Sequence, residues 1–364
     1  MEQRKAKQYN RLRLLTSIGN ITIDVIFWMV IIYSGLGSLL ANICYQTIEQ
    51  PLLQFYLFVI FLGGMSFAIH FPLGFYSGFI LEHQFSLSVQ SLTGWFIEKL
   101  KSIFIALLLG GIILTVFFIL LTWYPSWWWI FVWLFLLIFS VILSRIAPLV
   151  IFPLFFKFKS LENQQLKERI QKFAQKWNLQ ISGVYQFNLS KNTKKANAAF
   201  TGIGKSKRII LGDTLLEKFD EDEIETIFAH EVGHYHHKHI IKGIILNSII
   251  SFIGLWLIYH IYTFILKISS YESYRLEALP YLAIIFLFYG LITGPIGNYI
   301  SRKYEYQADN FAVSTTGKSD IYKNSLKKLA DLNLADESPH PIIEFLFYSH
   351  PSIKHRIEKI AGVT

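Results

Sequence analysis

Cysteine is almost missing from these 364 residues: Cys44 stands alone, which excludes an intramolecular disulfide and any thiolate metal cluster. A metal in this chain must therefore be held by histidine and carboxylate. Charge is scarce too, at 16% of residues, where soluble domains carry about 25%. With 53% hydrophobic residues and a mean hydropathy of +0.40, this scarcity argues against an ordinary soluble globule and predicts a multi-span membrane protein. Internal repeats and low-complexity linkers are absent. The net charge of +9 could suit nucleic acid, but the basic residues gather at the ends of apolar runs. That placement favours an anionic membrane surface and leaves nucleic acid without support.

Apolar stretches close to the roughly 20 residues a bilayer core demands fall at 21–43, 53–81, 102–122, 127–145, 242–266 and 279–300, predicting six spans. The basic start (Arg4, Lys5, Lys7, Arg11, Arg13) resembles a signal peptide, yet Ile21 to Ile43 is too long and lacks a cleavage site, so it reads as a retained first span. Lys and Arg crowd before the first span, at Lys99 and Lys101, and through 157–242, while the loops 44–52 and 122–126 have none. By the positive-inside rule both termini face the cytosol. The end at Ala361-Gly362-Val363-Thr364 carries no evident retrieval signal, which suits a bacterial plasma membrane. Arg145, Pro148 and Pro153 predict a kink after the fourth span, followed by an interfacial segment.

Residues 157–239 change to a soluble pattern. A helix is expected at 161–177, with a β-like segment at 183–189 and a second short strand at 208–211; Asn197-Ala198-Ala199-Phe200 lies between them after a basic loop, and the turn residues include Gly202, Gly204 and Gly212-Asp213. They read as a small antiparallel sheet. Acidic residues 220–223 suit a helix start, and that helix is expected to continue into the fifth span. The resulting division is 1–156 for four spans, 157–241 and 301–364 for two parts of a soluble-like unit, and 242–300 for a transmembrane hairpin between them.

The chemistry sits at His230-Glu231-Val232-Gly233-His234. On a helix, residues four apart share a face, so both imidazoles can hold one metal, with Glu231 beside the metal's water as general base. A hydrolytic zinc needs a third protein ligand. Glu305 is the candidate: it shares a helix face with Asp309, and the hairpin returns it to the membrane side of His230 and His234. Asp309 is then placed either to orient a ligating imidazole or to act on the scissile group. His236 and His237 fall on other faces, while His239 lies nearly on the ligand face without an assigned task. His70, inside the second span, is an intramembrane polar group among small residues that suit close helix packing.

An ordered set of motifs runs over most of the chain. It comprises Glu82-His83-Gln84-Phe85, Ile146-Ala147-Pro148-Leu149, Asn197-Ala198-Ala199-Phe200, the stretch Arg208 to Leu216, His230 to His234, Ser301 to Asp309, Ser349-His350-Pro351-Ser352 and Arg356-Ile357. In this set the chain resembles the type 1 CAAX prenyl proteases, integral-membrane zinc endopeptidases. The resemblance implies a mainly α polytopic protein whose helices enclose an intramembrane chamber, with a cytosolic-side zinc protease domain. It implies His230, His234 and Glu305 as ligands of one Zn²⁺, Glu231 as general base and Asp309 as a supporting or proton-donating carboxylate. It further implies His350 as oxyanion donor, Asn197 and Ala198 on a substrate-binding strand, and Arg356 as a partner of Asp309. The substrate would be a peptide or membrane protein, prenylated or lipid-associated, cut at the bilayer. The chain departs from that family in having one span fewer than its members commonly carry, with a short basic N-terminus instead. Membrane quality-control proteases of the HtpX type share HExxH, but agreement around Ala308-Asp309 and Ser349-His350-Pro351 is closer to the prenyl proteases. A transporter or sensor with structural zinc would have no need of Glu231.

Overall fold

A computed structural model describes residues 2–362 except 178, 180 and 202–207, so the turn residues Gly202 and Gly204 lie outside the described residues. Among the described residues six helices are long and apolar enough to cross a membrane: Gln3–Tyr33, Pro51–Gln84, Leu92–Trp123, Trp128–Phe155, His239–Ser269 and Leu276–Thr316. The number matches the expectation; the first boundary does not. The apolar run 21–43 breaks at Gly35, whose φ of 77° is left-handed and ends the helix. Thus α1 (Glu2–Tyr33) absorbs the basic N-terminus, and α2 (Leu36–Thr47) is a separate 12-residue helix. Phe27 and Ile31 of α1, Ala41 and Cys44 of α2, and Phe55, Phe58 and Leu62 of α3 (Pro51–Phe75) bury one another. His70 ties α3 to α1, its Nε2 3.2 Å from Asp24 Oδ1.

Two spans contain wide turns. α3 continues through a π turn at Tyr76–Ile80 into α4 (Leu81–Gln84). α5 (Leu92–Trp123) leads to α6 (Trp128–Ile146), which passes through a π turn at Ala147–Ile151 into α7 (Phe152–Phe155). Pro148 removes an N–H there and the ladder widens around it, which is the physical form of the expected kink.

Beyond α7 the chain builds β1 (Phe158–Ser160), α8 (Gln164–Lys176), β2 (Gly183–Phe187), β3 (Ala198–Thr201) and β4 (Arg208–Gly212). The sheet order is β1-β2-β4-β3, and β2 runs parallel to β4 while the outer pairs are antiparallel. The sheet is therefore mixed, not wholly antiparallel. Its cause is connectivity: the chain returns as β3 before β4 reverses again beside β2. Val184, Ile209 and Leu211 point into a core shared with α8, α9 (Asp213–Lys218) and α10 (Glu221–His236).

The helix carrying the histidines does not run into the fifth span. Lys238 is left-handed at φ 57° and separates α10 from α11 (His239–Ser269). α12 (Leu279–Thr316) is continuous from the membrane into the soluble core, followed by α13 (Ser319–Asn333), α14 (Pro341–Phe347) and α15 (Ile353–Ala361).

Candidate metal centre

α10 begins with a capping box in which Asp220 accepts from Glu223 N at 2.8 Å and Glu223 accepts from Asp220 N at 3.0 Å. Ile224, Ile227, Phe228 and Val232 bury one face, and the histidines follow on the side facing α12. The helices meet at Gly233, where an added Cβ would lie 2.9 Å from Ala308 Cα and 3.1 Å from Ala308 O. Only a residue without a side chain permits this approach, and it sets Glu305 against both imidazoles.

His230 Nε2 and His234 Nε2 are 3.1 Å apart, and Glu305 places Oε2 3.4 Å from the first and Oε1 3.3 Å from the second. A tetrahedral ion with bonds of about 2.0–2.1 Å spaces its ligands roughly 3.3–3.4 Å apart, so the triangle has the dimensions of a metal site. Glu305 Oε2 is buried and accepts no hydrogen bond. His350 Nδ1 approaches it at 3.1 Å, but without hydrogen-bonding geometry. A buried carboxylate oxygen lacking a donor is costly, and a cation at the centre of the triangle would satisfy it.

Behind His230 the donors are fully engaged. Its Nδ1 lies 2.9 Å from Asp309 Oδ1, which fixes a proton on Nδ1 and makes Nε2 the nitrogen that would face a bound cation. Asp309, 1% exposed, accepts from Arg356 Nε at 2.9 Å, Arg356 Nη2 at 2.5 Å and Tyr322 OH at 2.6 Å. Burial opposes the His230 imidazolium, but the Asp309 and Glu305 carboxylates beside it outweigh burial and push its pKa up to about 9 in the metal-free protein. Burial, then the Asp309 charge, raises the Tyr322 hydroxyl well above its ordinary value, so it stays a neutral donor. Burial also disfavours charge on Arg356, yet Tyr322 and Asp309 hold it firmly as a cation. Tyr322 was invisible to motif reading, since a lone tyrosine in α13 carries no spacing signal.

His239 has a partner as well. His234 Nδ1 is 3.0 Å from His239 Nδ1, and His239 Nε2 is 2.8 Å from Gln307 Oε1. If Nε2 of His234 faces a metal, its Nδ1–H donates to His239, and His239 Nε2–H donates to Gln307. The ring also stacks on Tyr304 with centroids 4.2 Å apart. The left-handed break at Lys238 separates α10 from α11 just before His239, so this ring does not follow the α10 spacing.

In front of the triangle is a cleft of about 350 Å³ lined by His230, Glu231, Glu305, His350, Asn197 and Ala198, among others. His350 is 64% exposed on its side chain. Its turn is held from below: Arg302 donates to Tyr348 O at 2.6 Å and to Glu344 O at 2.9 Å, and Ser352 N donates to Glu344 Oε1 at 3.0 Å. β3 is at the sheet's edge, paired with β4 alone among the described residues. Asp309, in contrast, sits behind His230 and does not line the cleft. Of its two predicted tasks, this position suits orienting the imidazole.

Residues 160–364 match the model of peptidase family M48, more than half of the chain. The chain belongs to peptidase family M48. Residues 2–157 match a model described as CAAX prenyl protease N-terminal, five membrane helices; here that stretch holds four helices long enough to span, plus the short α2. The protease is 29% identical to the uncharacterized metalloprotease YhfN of Bacillus subtilis over 97% of this chain and 84% of that one. It is also 29% identical to CAAX prenyl protease 1 of Saccharomyces cerevisiae, over 83% of this chain and 71% of the yeast protein. The crystal structure of S. mikatae Ste24p superposes with a TM-score of 0.88 at 26% identity, covering 99% of this chain and 89% of that one. The M48 protease is thus a multi-pass membrane metalloprotease built like the CAAX prenyl proteases.

Proposed function

We propose that this M48 protease is a zinc endopeptidase that cuts a peptide bond at the cytosolic face of a bacterial plasma membrane, removing the C-terminal tripeptide of prenylated or lipid-associated peptides. The observation that carries the reading is the 3.1–3.4 Å triangle of His230, His234 and Glu305 with its orphaned Oε2. Histidine and carboxylate donors without thiolate suit zinc, and three of them leave the fourth position open for chemistry. When bound there, zinc supplies Lewis-acid polarisation and an acidified water. Residues 157–241 and 301–364 form the protease unit, joined through the hairpin 242–300.

The remaining steps belong to side chains. Glu231 takes the proton of the attacking water and returns it to the leaving amine. His350 donates to the oxyanion as the carbonyl becomes tetrahedral. Asp309, with Arg356 and Tyr322 behind it, keeps His230 in the ligating tautomer. The free edge of β3 holds the substrate extended by strand addition at Asn197 and Ala198. Exposed apolar helices supply the contact with the bilayer, and the basic residues are assigned to its anionic surface and not to nucleic acid.

The test is chelator-sensitive cleavage of prenylated CAAX peptides, unprenylated controls and an unfolded membrane protein by the purified full-length chain. Preference for the prenylated peptides is expected; preference for the unfolded protein would replace this substrate class with quality control. Glu231→Gln should keep wild-type zinc content and lose turnover by about 10²- to 10⁴-fold.

A further inference from the structure

A second concavity, away from the metal, lies where the kinked end of the fourth span meets the sheet. It measures about 420 Å³, and its lining includes Pro148, Phe152, Phe156, Lys157, Tyr185 and Arg208. Strand alternation explains the floor. Ile209 and Leu211 enter the protease core, so Arg208 and Ile210 of β4, with Tyr185 of β2, face the opposite way, toward α7. The walls are largely apolar. Around the same span end Leu149, Val150 and Leu154 are exposed, as residues facing lipid would be.

The charges in this cavity do not balance. Among the described residues its lining holds two cations and no carboxylate. Arg208 is half-buried, with its guanidinium 5.4 Å from the centre of the Tyr185 ring and a sequestered Nε that has no hydrogen-bond acceptor among the described residues. Lys157, exposed at the rim, has no ion pair among the described residues. Two lysines near the same span end are engaged elsewhere: Lys101 donates to Leu154 O at 3.0 Å, and Lys191 pairs with Glu98 at 2.8 Å and donates to Phe155 O. A sequestered guanidinium N–H without an acceptor is costly, more so beside a second unpaired cation. The planar fork of arginine matches a phosphate, and the apolar wall matches a hydrocarbon chain attached to it.

We propose that this cavity binds a phosphate ester, whose oxygens accept hydrogen bonds from Arg208 and Lys157 while any acyl chain lies along Phe152 and Phe156. The same chemistry is offered by the headgroup of an anionic phospholipid and by a free glycerol phosphate. Such a ligand would anchor the sheet carrying the substrate edge to the end of the fourth span without touching the metal.

The full-length protein, equilibrated with phosphatidylcholine vesicles with or without phosphatidylglycerol and then extracted, is assayed for retained lipid by native mass spectrometry. Glycerol 3-phosphate is tested separately by thermal shift. The wild type should retain phosphatidylglycerol at least about tenfold better than the double variant Arg208→Gln/Lys157→Gln, and the single variant Arg208→Lys, which keeps the charge but not the fork, should fall between the two. A thermal shift with glycerol 3-phosphate that the double variant loses would identify the free ester as sufficient; retention from vesicles alone would identify the lipid headgroup. Equal retention by wild type and double variant, with no response to glycerol 3-phosphate, would overturn the site. Lys157→Gln alone, at an exposed position, should still lose retention by about fivefold, and equal retention there would remove Lys157 from the site even if Arg208→Gln misfolds. None of these readouts depends on hydrolysis, so their failure is distinct from failure of the protease reading.

Discussion

The two ends of α12 obey different packing rules. Toward the membrane, Phe286, Phe288, Leu291, Ile292 and Ile296 are exposed on the protein surface, and the crossing with α11 sets Gly254 against the ring of Tyr289. Toward the metal, Arg302, Glu305, Ala308 and Asp309 are buried, and the crossing with α10 sets Gly233 against the backbone of Ala308. At the first end lipid covers the apolar face and helices need only approximate complementarity. At the second, three donor atoms must converge within tenths of an ångström, and backbone meets backbone. One uninterrupted helix therefore links a tolerant bundle to an intolerant site.

Substitutions along α12 should expose that difference. Glu305→Ala should empty the metal site and abolish hydrolysis, whereas Phe288→Ala should keep both; metal content by plasma mass spectrometry decides, and a metal-loaded Glu305→Ala would remove Glu305 from the ligand set. A smaller loss is expected one helical turn further on. Asp309→Asn leaves His230 without its carboxylate and should weaken metal affinity about 10- to 100-fold in chelator competition. An unchanged affinity would mean that Arg356 and Tyr322 orient the imidazole unaided.

The paired glycines sharpen the contrast. Gly233→Ala forces a Cβ against Ala308 backbone that cannot turn aside, and should cost about 1–3 kcal/mol with partial loss of metal. Gly254→Ala meets first the Tyr289 ring, a side chain that can swing away by giving up its 2.9 Å hydrogen bond to Ile250 O. Its effect should be smaller and leave metal content unchanged. Thermal unfolding and metal analysis of both variants test this; equal losses would erase the distinction between the two ends.

The same difference governs what could be read from sequence. HEVGH was legible because helical spacing puts its two imidazoles on one face, Glu305 because the hairpin of two apolar runs returns it to that side, and the six spans because lipid demands long apolar runs. The break at Lys238 was not, since a left-handed lysine leaves no compositional trace, and without it His239 could not be placed on His234. Gly35 was a weak signal inside an apolar run, so α1 and α2 were read as one span. β1 is three residues long, too short for a period, and the parallel pairing of β2 with β4 depends on contacts that single-strand patterns do not encode. Tyr322 reaches Asp309 only through tertiary packing.

The smallest expected effect concerns how α10 is anchored at the metal end. Arg169 on α8 and Lys318 just before α13 both engage Asp222 and Glu225 on α10, with Lys318 at 2.8 and 2.5 Å. Hydrogen bonds from Lys318 and Arg169 hold the Asp222 carboxyl below its ordinary range. Because its folded pKa lies below the unfolded value of about 3.9, the stabilisation is present above that pH and is lost as pH falls through the folded pKa. Asp222→Asn should therefore lower the melting temperature near neutrality by only about 1–2 °C, since solvent screens so exposed a group. It should also flatten the fall in melting temperature on acidification. An identical acid profile in wild type and variant would show that the apolar face of α10 holds the helix without help from its charges.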